Sequence, residues 1–173
     1  FAELKYMEGR GPFAYYDFMA GQYVRWEEPI GGVDWSPDAS QLLHDNLNYA
    51  PSYTERIFLV NRDRSGERQL STELKNGYAM YPLFSPLGDR IAYLEVTGMD
   101  MDTTTTLIIQ DLPDGQPLKL LLLHQAYDLT WTPDGNFLLV SNGNYPDLQV
   151  LLISADEGSY QVLADGWQAA MQP

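Results

Sequence analysis

A short element that joins an aromatic residue, Ser or Thr, and Pro occurs three times, and its spacing strongly constrains the fold. The copies are WSPDA, FSPLG and WTPDG, which begin at Trp35, Phe84 and Trp131. Successive aromatic residues are therefore 49 and 47 residues apart. A sequence period of this length is typical of solenoids and propellers.

A second marker has a similar period. Glycines in four polar turns, Gly21, Gly66, Gly115 and Gly158, are 45, 49 and 43 residues apart. Because two unrelated markers repeat together, we interpret the whole chain as a repeat array rather than as one irregular domain.

Each period contains four short apolar runs, which we label strands A to D. Between residues 31 and 77 these runs are GGVDW, QLLHDN, RIFLVNR and ERQLST, separated by Gly, Pro, Asp and Asn. Such runs are typical of strands, and no window has the periodicity of an amphipathic helix. The runs are nearly continuous in apolar character, as expected for sheets that are covered on both faces. The sequence therefore predicts an all-β propeller of four-stranded antiparallel blades.

The aromatic-Pro element fits the A–B turn of each blade. Pro favours the second position of a tight turn, Asp can accept hydrogen bonds from nearby backbone, and Gly accepts a positive φ. The preceding aromatic residue would fill the space between blades. Ala39 replaces the turn glycine in the first copy, and Leu87 replaces the aspartate in the second. We assign these structural roles to Trp35, Pro37, Asp38, Phe84, Pro86, Gly88, Trp131, Pro133, Asp134 and Gly135.

The two markers also divide the chain into blades. Residues 1–30 would form strands B to D of a first blade, and 31–77, 78–127 and 128–166 three complete ones. Residues 167–173 would begin another strand A. The preferred interpretation is a section of a larger propeller, with about three and a half to four blades present. A closed four-bladed ring is the alternative. Open blade edges of a section would favour self-association.

Composition excludes several function classes. The 173 residues include 24 acidic and 10 basic side chains, a formal charge of −14, which repels nucleic acid. There is no cysteine, so disulfides and cysteine-based zinc sites are excluded. No apolar run is long enough for a membrane helix, and we expect no membrane insertion.

The three aromatic-Pro elements resemble the WD-like propeller repeat of the TolB family. The propeller domains of prolyl oligopeptidase and dipeptidyl peptidase-type proteins are similar. The resemblance implies a propeller over almost the whole chain, but no single activity, because one fold supports many functions. It also favours an extracytoplasmic location, periplasmic or secreted, in a bacterium.

The variable segments are the B–C loops 46–55, 97–106 and 142–147 and the D–A connectors 27–32, 75–82 and 164–171. They fall on the face opposite the A–B turns. Loops on a rigid scaffold commonly bind partners, and aromatic and amide side chains are common at interfaces. Packing of the loops against one another is the alternative for these residues. Two acids of the MDMD segment could bind calcium, but they lack the ligand set of a calcium loop, so no metal is assigned. The candidate binding residues are Asn48, Tyr49, Tyr53, Asp100, Asp102, Tyr145 and Trp167.

No catalytic constellation is evident. His44 and His124 match no metal motif, and no nucleophile-elbow or nucleotide-binding motif is present. We therefore expect no cofactor and favour a non-catalytic scaffold that binds a protein or peptide, without excluding an enzyme. The alternative is a substrate-gating propeller of a larger hydrolase or lyase whose catalytic domain lies outside this chain. A third, weaker hypothesis is a small sugar or cation in the central channel.

Overall fold

The computed structural model describes residues 2–4, 11–18, 20–46, 55–74, 76–98, 103–144 and 146–166. Within these residues the regular structure is entirely β. The strands are β1 (Ala2–Leu4), β2 (Gly11–Asp17), β3 (Gln22–Trp35), β4 (Gln41–Asn46), β5 (Arg56–Asn61), β6 (Arg68–Gln69), β7 (Gly77–Phe84), β8 (Arg90–Thr97), β9 (Thr104–Asp111), β10 (Leu118–Leu123), β11 (Ala126–Trp131), β12 (Phe137–Asn144), β13 (Asp147–Ser154) and β14 (Tyr160–Asp165).

All strand pairs are antiparallel neighbours in sequence, and they form three sheets. Strands β7 to β10 form one four-stranded sheet and β11 to β14 another, which we call the third and fourth blades. The remaining sheet has six strands because β3 is shared. Its first part pairs with β2 and its second part, from Ile30, pairs with β4. This sheet therefore contains a first blade and a second blade joined by one strand, and the predicted all-β architecture of antiparallel blades is confirmed.

Three hydrophobic clusters fill the spaces between successive blades, and we call them wedges. The first wedge contains Phe13, Tyr15, Trp26, Ile30, Leu42 and Val60. The second contains Leu43, Ile57, Leu59, Leu70, Ala79, Phe84, Ile91, Tyr93 and Ile108. The third contains Ala92, Leu94, Leu107, Ile109, Leu123, Ala126, Trp131, Leu138, Val140, Leu151, Ile153 and Ala155.

Strand alternation explains how one sheet serves two wedges. Neighbouring residues of a strand point to opposite faces, so Leu42 contacts the first wedge and Leu43 the second. On β8, Tyr93 likewise faces the second wedge and Leu94 the third. Because both faces are covered, residues 91–96 are all buried. The continuous apolar runs of the sequence follow from this arrangement.

The A–B turns have the geometry that their residues favour. Ser36 donates its backbone N–H to Gln41 O at 2.9 Å, and Ala39 N–H bonds Ser36 O at 2.7 Å. Gly88 and Gly135 have φ values of +74° and +71°, and Ala39 takes the same region at +56° despite its Cβ. The turn geometry is therefore kept where the glycine is absent.

The outer strand of the second blade is shorter than the predicted ERQLST run. Only Arg68–Gln69 is a strand, because the ladder changes partners immediately afterwards. Leu70 N–H still bonds Ile57 O at 2.8 Å, but Ile57 N–H is bonded to the side-chain oxygen of Ser71 at 3.0 Å. A side-chain acceptor thus replaces the backbone carbonyl and ends β6.

Candidate functional site

The seven candidate binding residues lie outside the described residues, but the ladders that carry their segments are described. The β4–β5 ladder ends at Asn46 and Arg56, and the segment between them, 47–55, is nine residues long. The corresponding segments of the next two blades are 98–103, six residues, and 145–146, two residues. The B–C segments therefore differ in length from blade to blade.

The opposite ends of the same strands are uniform. The A–B connections 36–41, 85–90 and 132–137 each contain six residues. Each follows the aromatic residue of strand A and precedes the aliphatic residue of strand B that pairs with it. Hydroxyls of Ser36 and Thr132 bond the turn aspartates Asp38 and Asp134. These bonds lower the pKa of both carboxyls below the usual value. The three described A–B connections thus share one length, and two of them share the bond between a hydroxyl and a carboxylate.

The bases of the variable segments are held by bonds between neighbouring elements. Arg56, 8% exposed, donates to Glu55 O at 2.8 Å and to Gly77 O at 3.4 Å, which links the second blade to the third. His124 N–H bonds Asn142 Oδ1 at 2.9 Å. The B–C and D–A segments therefore leave the scaffold from fixed points.

Ion pairs join successive blades on the face that contains the A–B turns and the polar glycine turns, which connect strands C and D. Arg62 of the second blade pairs with Asp17 of the first. Arg90 pairs with Asp156 at 2.6 Å and also donates to Gly135 O at 2.9 Å, which joins the third and fourth blades. The partners are 45 and 66 residues apart, so no local sequence pattern could have indicated these pairs.

Each described A strand has a one-residue bulge, which the sequence reasoning missed. The registers shift between Ile30 and Val33, between Met80 and Leu83, and between Ala126 and Leu129. Such bulges bend a strand and re-aim its side chains. The GlyGly pair before the first WSPDA copy was a signal for one of them, but a bulge is recognisable only when the partner strand is known.

The bulge of the second blade is held by a buried carboxylate. Asp45, 2% exposed, accepts the backbone N–H groups of Gly31 and Gly32 at 2.8 and 2.9 Å. Ser141 occupies the matching position of the fourth blade, and its fully buried hydroxyl has no hydrogen-bond partner among the described residues. A carboxylate therefore supports the bulge of the second blade, whereas a small neutral side chain lies at the bulge of the fourth.

The first wedge contains a polar cavity of about 250 Å³ between the first and second blades. His44, 3% exposed, stacks on Phe58 with ring centres 5.5 Å apart and planes 13° apart. Its Nε2 atom lies 3.2 Å from Oε1 of Glu67. Asp45 points to the opposite face of β4, so the adjacent His44 and Asp45 form no catalytic dyad.

No metal or membrane site is evident in the described parts of the chain. No group of three or more His, Asp or Glu side chains there is arranged to hold a metal ion. His124 is exposed, and its Nε2 atom is 3.2 Å from Asn144 Nδ2. No helix among these residues has the length and hydropathy needed to cross a membrane.

Blades of four antiparallel strands pack face to face, and the A–B turn recurs from blade to blade. These features define a β-propeller domain. No family model matches the chain, and no curated protein matches its sequence. Solved structures do match. An oligogalacturonate lyase in complex with manganese has a TM-score of 0.69 at 14% identity, over 87% of this chain and 41% of its own. TolB from Acinetobacter baumannii has a TM-score of 0.62 at 13% identity, over 90% of this chain and 38% of its own.

A structure of a nidogen/laminin complex is also similar, with a TM-score of 0.65 at 14% identity, over 90% of this chain and 57% of the other. The predicted resemblance to TolB-like propellers is confirmed at the level of the fold. The chain spans about two fifths of the length of the first two matched structures.

Proposed function

We propose that this chain is a non-catalytic propeller scaffold that binds a protein or peptide through its B–C and D–A segments. The observation that carries the proposal is the contrast between the two ends of the blades. The A–B connections are all six residues long, whereas the B–C segments are nine, six and two. Variation in length on a uniform scaffold is typical of binding loops.

The scaffold itself supports this role. The wedges are buried, and ion pairs join successive blades on the turn face, so the bases of the segments are fixed relative to one another. Tyr49, Tyr53 and Tyr145 lie within the B–C segments and would supply aromatic contacts. A matched structure is that of a nidogen/laminin complex, a case in which a similar fold occurs in an assembly of proteins.

The second candidate is a propeller that gates substrate access to a hydrolase or lyase domain outside this chain. Its support is the similarity to an oligogalacturonate lyase, of which this chain spans 41%. A TolB-like propeller also supports a periplasmic or secreted location for either candidate. Turnover of peptides or glycosides that maps to this chain alone would contradict the first candidate.

A loop exchange tests the proposed binding face. Peptides selected from a displayed random library against the protein are measured with a variant in which segment 47–55 is replaced by the two-residue connection 145–146. The matched control replaces the A–B connection 36–41 with 132–137, which has the same length. We expect the loop exchange to weaken binding at least about tenfold and the turn exchange to leave it unchanged. The reverse result would refute the assignment of the binding face.

A further inference from the structure

The cavity of the first wedge is a candidate ligand site, and it borders the B–C segment 47–55 at Asn46. Its floor is formed by buried side chains: Trp26 and His44 are 3% exposed and Ile30 is 4% exposed. Phe58 stacks on His44, whose ring centre is 6.1 Å from that of Trp26. The floor is therefore an aromatic surface with one aliphatic edge.

The rim of the cavity is polar and contains both charges. The side chain of Glu67 is 49% exposed, and its Oε1 atom contacts His44. The guanidinium of Arg64 lies 4.6 Å above the ring centre of Trp26 and donates to Arg25 O at 2.8 Å. Asn46 also lines the cavity, and its Oδ1 atom accepts the backbone N–H of Arg56 at 3.0 Å.

The charges of the rim favour a charged ligand of neither sign. The rim contains one carboxylate, Glu67, and one guanidinium, Arg64, so a ligand of either charge is attracted by one group and repelled by the other. A charged ligand would also lose hydration on entering the cavity, a cost that a neutral ligand does not have.

The rim also suits a ligand whose groups can both donate and accept hydrogen bonds. Glu67 offers only acceptors, Arg64 only donors, and Asn46 both. A hydroxyl can satisfy any of the three. The cavity volume of about 250 Å³ is slightly below that of sites for drug-sized ligands, about 300 to 1,000 Å³, and suits one small ring.

We propose that this cavity binds a neutral sugar. Its ring packs against the floor beside the guanidinium of Arg64, which covers one face of the Trp26 ring, and its hydroxyls bond Asn46, Arg64 and Glu67. The site borders segment 47–55 at Asn46, but the variants that test it lie outside that segment, so either proposal can fail without the other.

The experiment follows the indole N–H resonances of the protein during titration with glucose, galactose, mannose and xylose. The Trp26→Phe variant assigns the signal of Trp26, and Trp131 of the third wedge is the internal reference. We expect a neutral sugar to shift the Trp26 signal, in the millimolar range, and to leave Trp131 unchanged. The absence of any such shift with all four sugars would overturn the proposal.

Charged analogues test the selectivity. Glucuronate and glucosamine should bind at least about tenfold more weakly than glucose, or fail to shift the signal where another neutral sugar binds. Equal or tighter binding of either would contradict a neutral ligand.

Two variants test the location. Glu67→Ala should weaken binding at least about tenfold, whereas Glu157→Ala, in the corresponding turn of the fourth blade, should not. Ile30→Phe fills the floor and should abolish the shift while leaving the rim residues in place. Unchanged binding in Glu67→Ala and Ile30→Phe would place the ligand elsewhere and overturn the assignment.

Discussion

The first and third wedges occupy equivalent places between blades but are built differently. Among its described residues the third wedge is almost wholly aliphatic, with Trp131 as the one large aromatic side chain. The first wedge contains Phe13, Tyr15 and Trp26, and it borders a cavity whose lining includes His44 and Glu67. The propeller repeat therefore specifies where apolar side chains lie, and it leaves their identity free. A ligand site can form where aromatic and polar side chains replace the aliphatic ones, as in the first wedge.

The largest expected difference between the wedges is in core truncation. Leu94→Ala removes a fully buried side chain of the third wedge and should lower the free energy of unfolding by about 3 kcal/mol. Phe58→Leu, at the existing cavity of the first wedge, should lower it by no more than about 1 kcal/mol. Urea denaturation measures both, and equal losses would contradict the difference in packing.

The bulges give a second comparison. Asp45→Ala leaves the N–H groups of Gly31 and Gly32 without their acceptors and should cost about 2 kcal/mol. Ser141→Ala, at the matching position, removes a buried hydroxyl that has no hydrogen-bond partner in the described part of the chain and should be neutral or slightly stabilising. Thermal denaturation of both variants is the measurement. A similar loss in each would show that the two bulges are supported in the same way.

The A–B turns allow a gain in stability. Ala39 has a φ of +56°, in the region that glycine occupies in the other two copies. Ala39→Gly should therefore raise the free energy of unfolding by about 1 kcal/mol, and Gly135→Ala should lower it by a similar amount. Urea denaturation of both variants measures these changes in the free energy of unfolding. A decrease for Ala39→Gly would mean that the turn is not strained.

The smallest expected effect concerns acid stability. Hydrogen bonds from Ser36 and Thr132 lower the pKa of Asp38 and Asp134 in the folded protein. A lowered folded pKa gives stability that is present above the unfolded value, near 4, and is lost as the pH falls through the folded pKa. The double variant Asp38→Asn, Asp134→Asn should therefore lose less stability between pH 6 and about pH 3 than the parent. If the double variant and the parent lost the same stability over this pH range, Asp38 and Asp134 would not contribute to the acid sensitivity of the protein.

Much of the fold could be predicted from the sequence because the turn chemistry is local. Trp35, Phe84 and Trp131 indicated the period, and the Pro and Gly positions indicated the turn geometry that the structure contains. The shortening of β6 could not be predicted, because it depends on Ser71 meeting Ile57 across the sheet.

The site features were harder to predict, since they depend on residues that are distant in sequence. His44 and Glu67 meet at a cavity only because the strands that carry them pair in one register. The ion pair of Arg90 and Asp156 spans 66 residues. The variable segments were recognised by position, and their candidate binding residues stay predictions.

Overpacking is the most direct measurement of the claim that the first wedge borders a cavity, whereas Val140 of the third wedge is fully buried. Ile30→Phe adds volume at the cavity, whereas Val140→Phe adds volume to a fully buried position of the third wedge. We predict that Ile30→Phe leaves the free energy of unfolding in urea within about 0.5 kcal/mol of the parent, while Val140→Phe lowers it by about 1 to 3 kcal/mol. Equal destabilisation of the two variants would contradict the account.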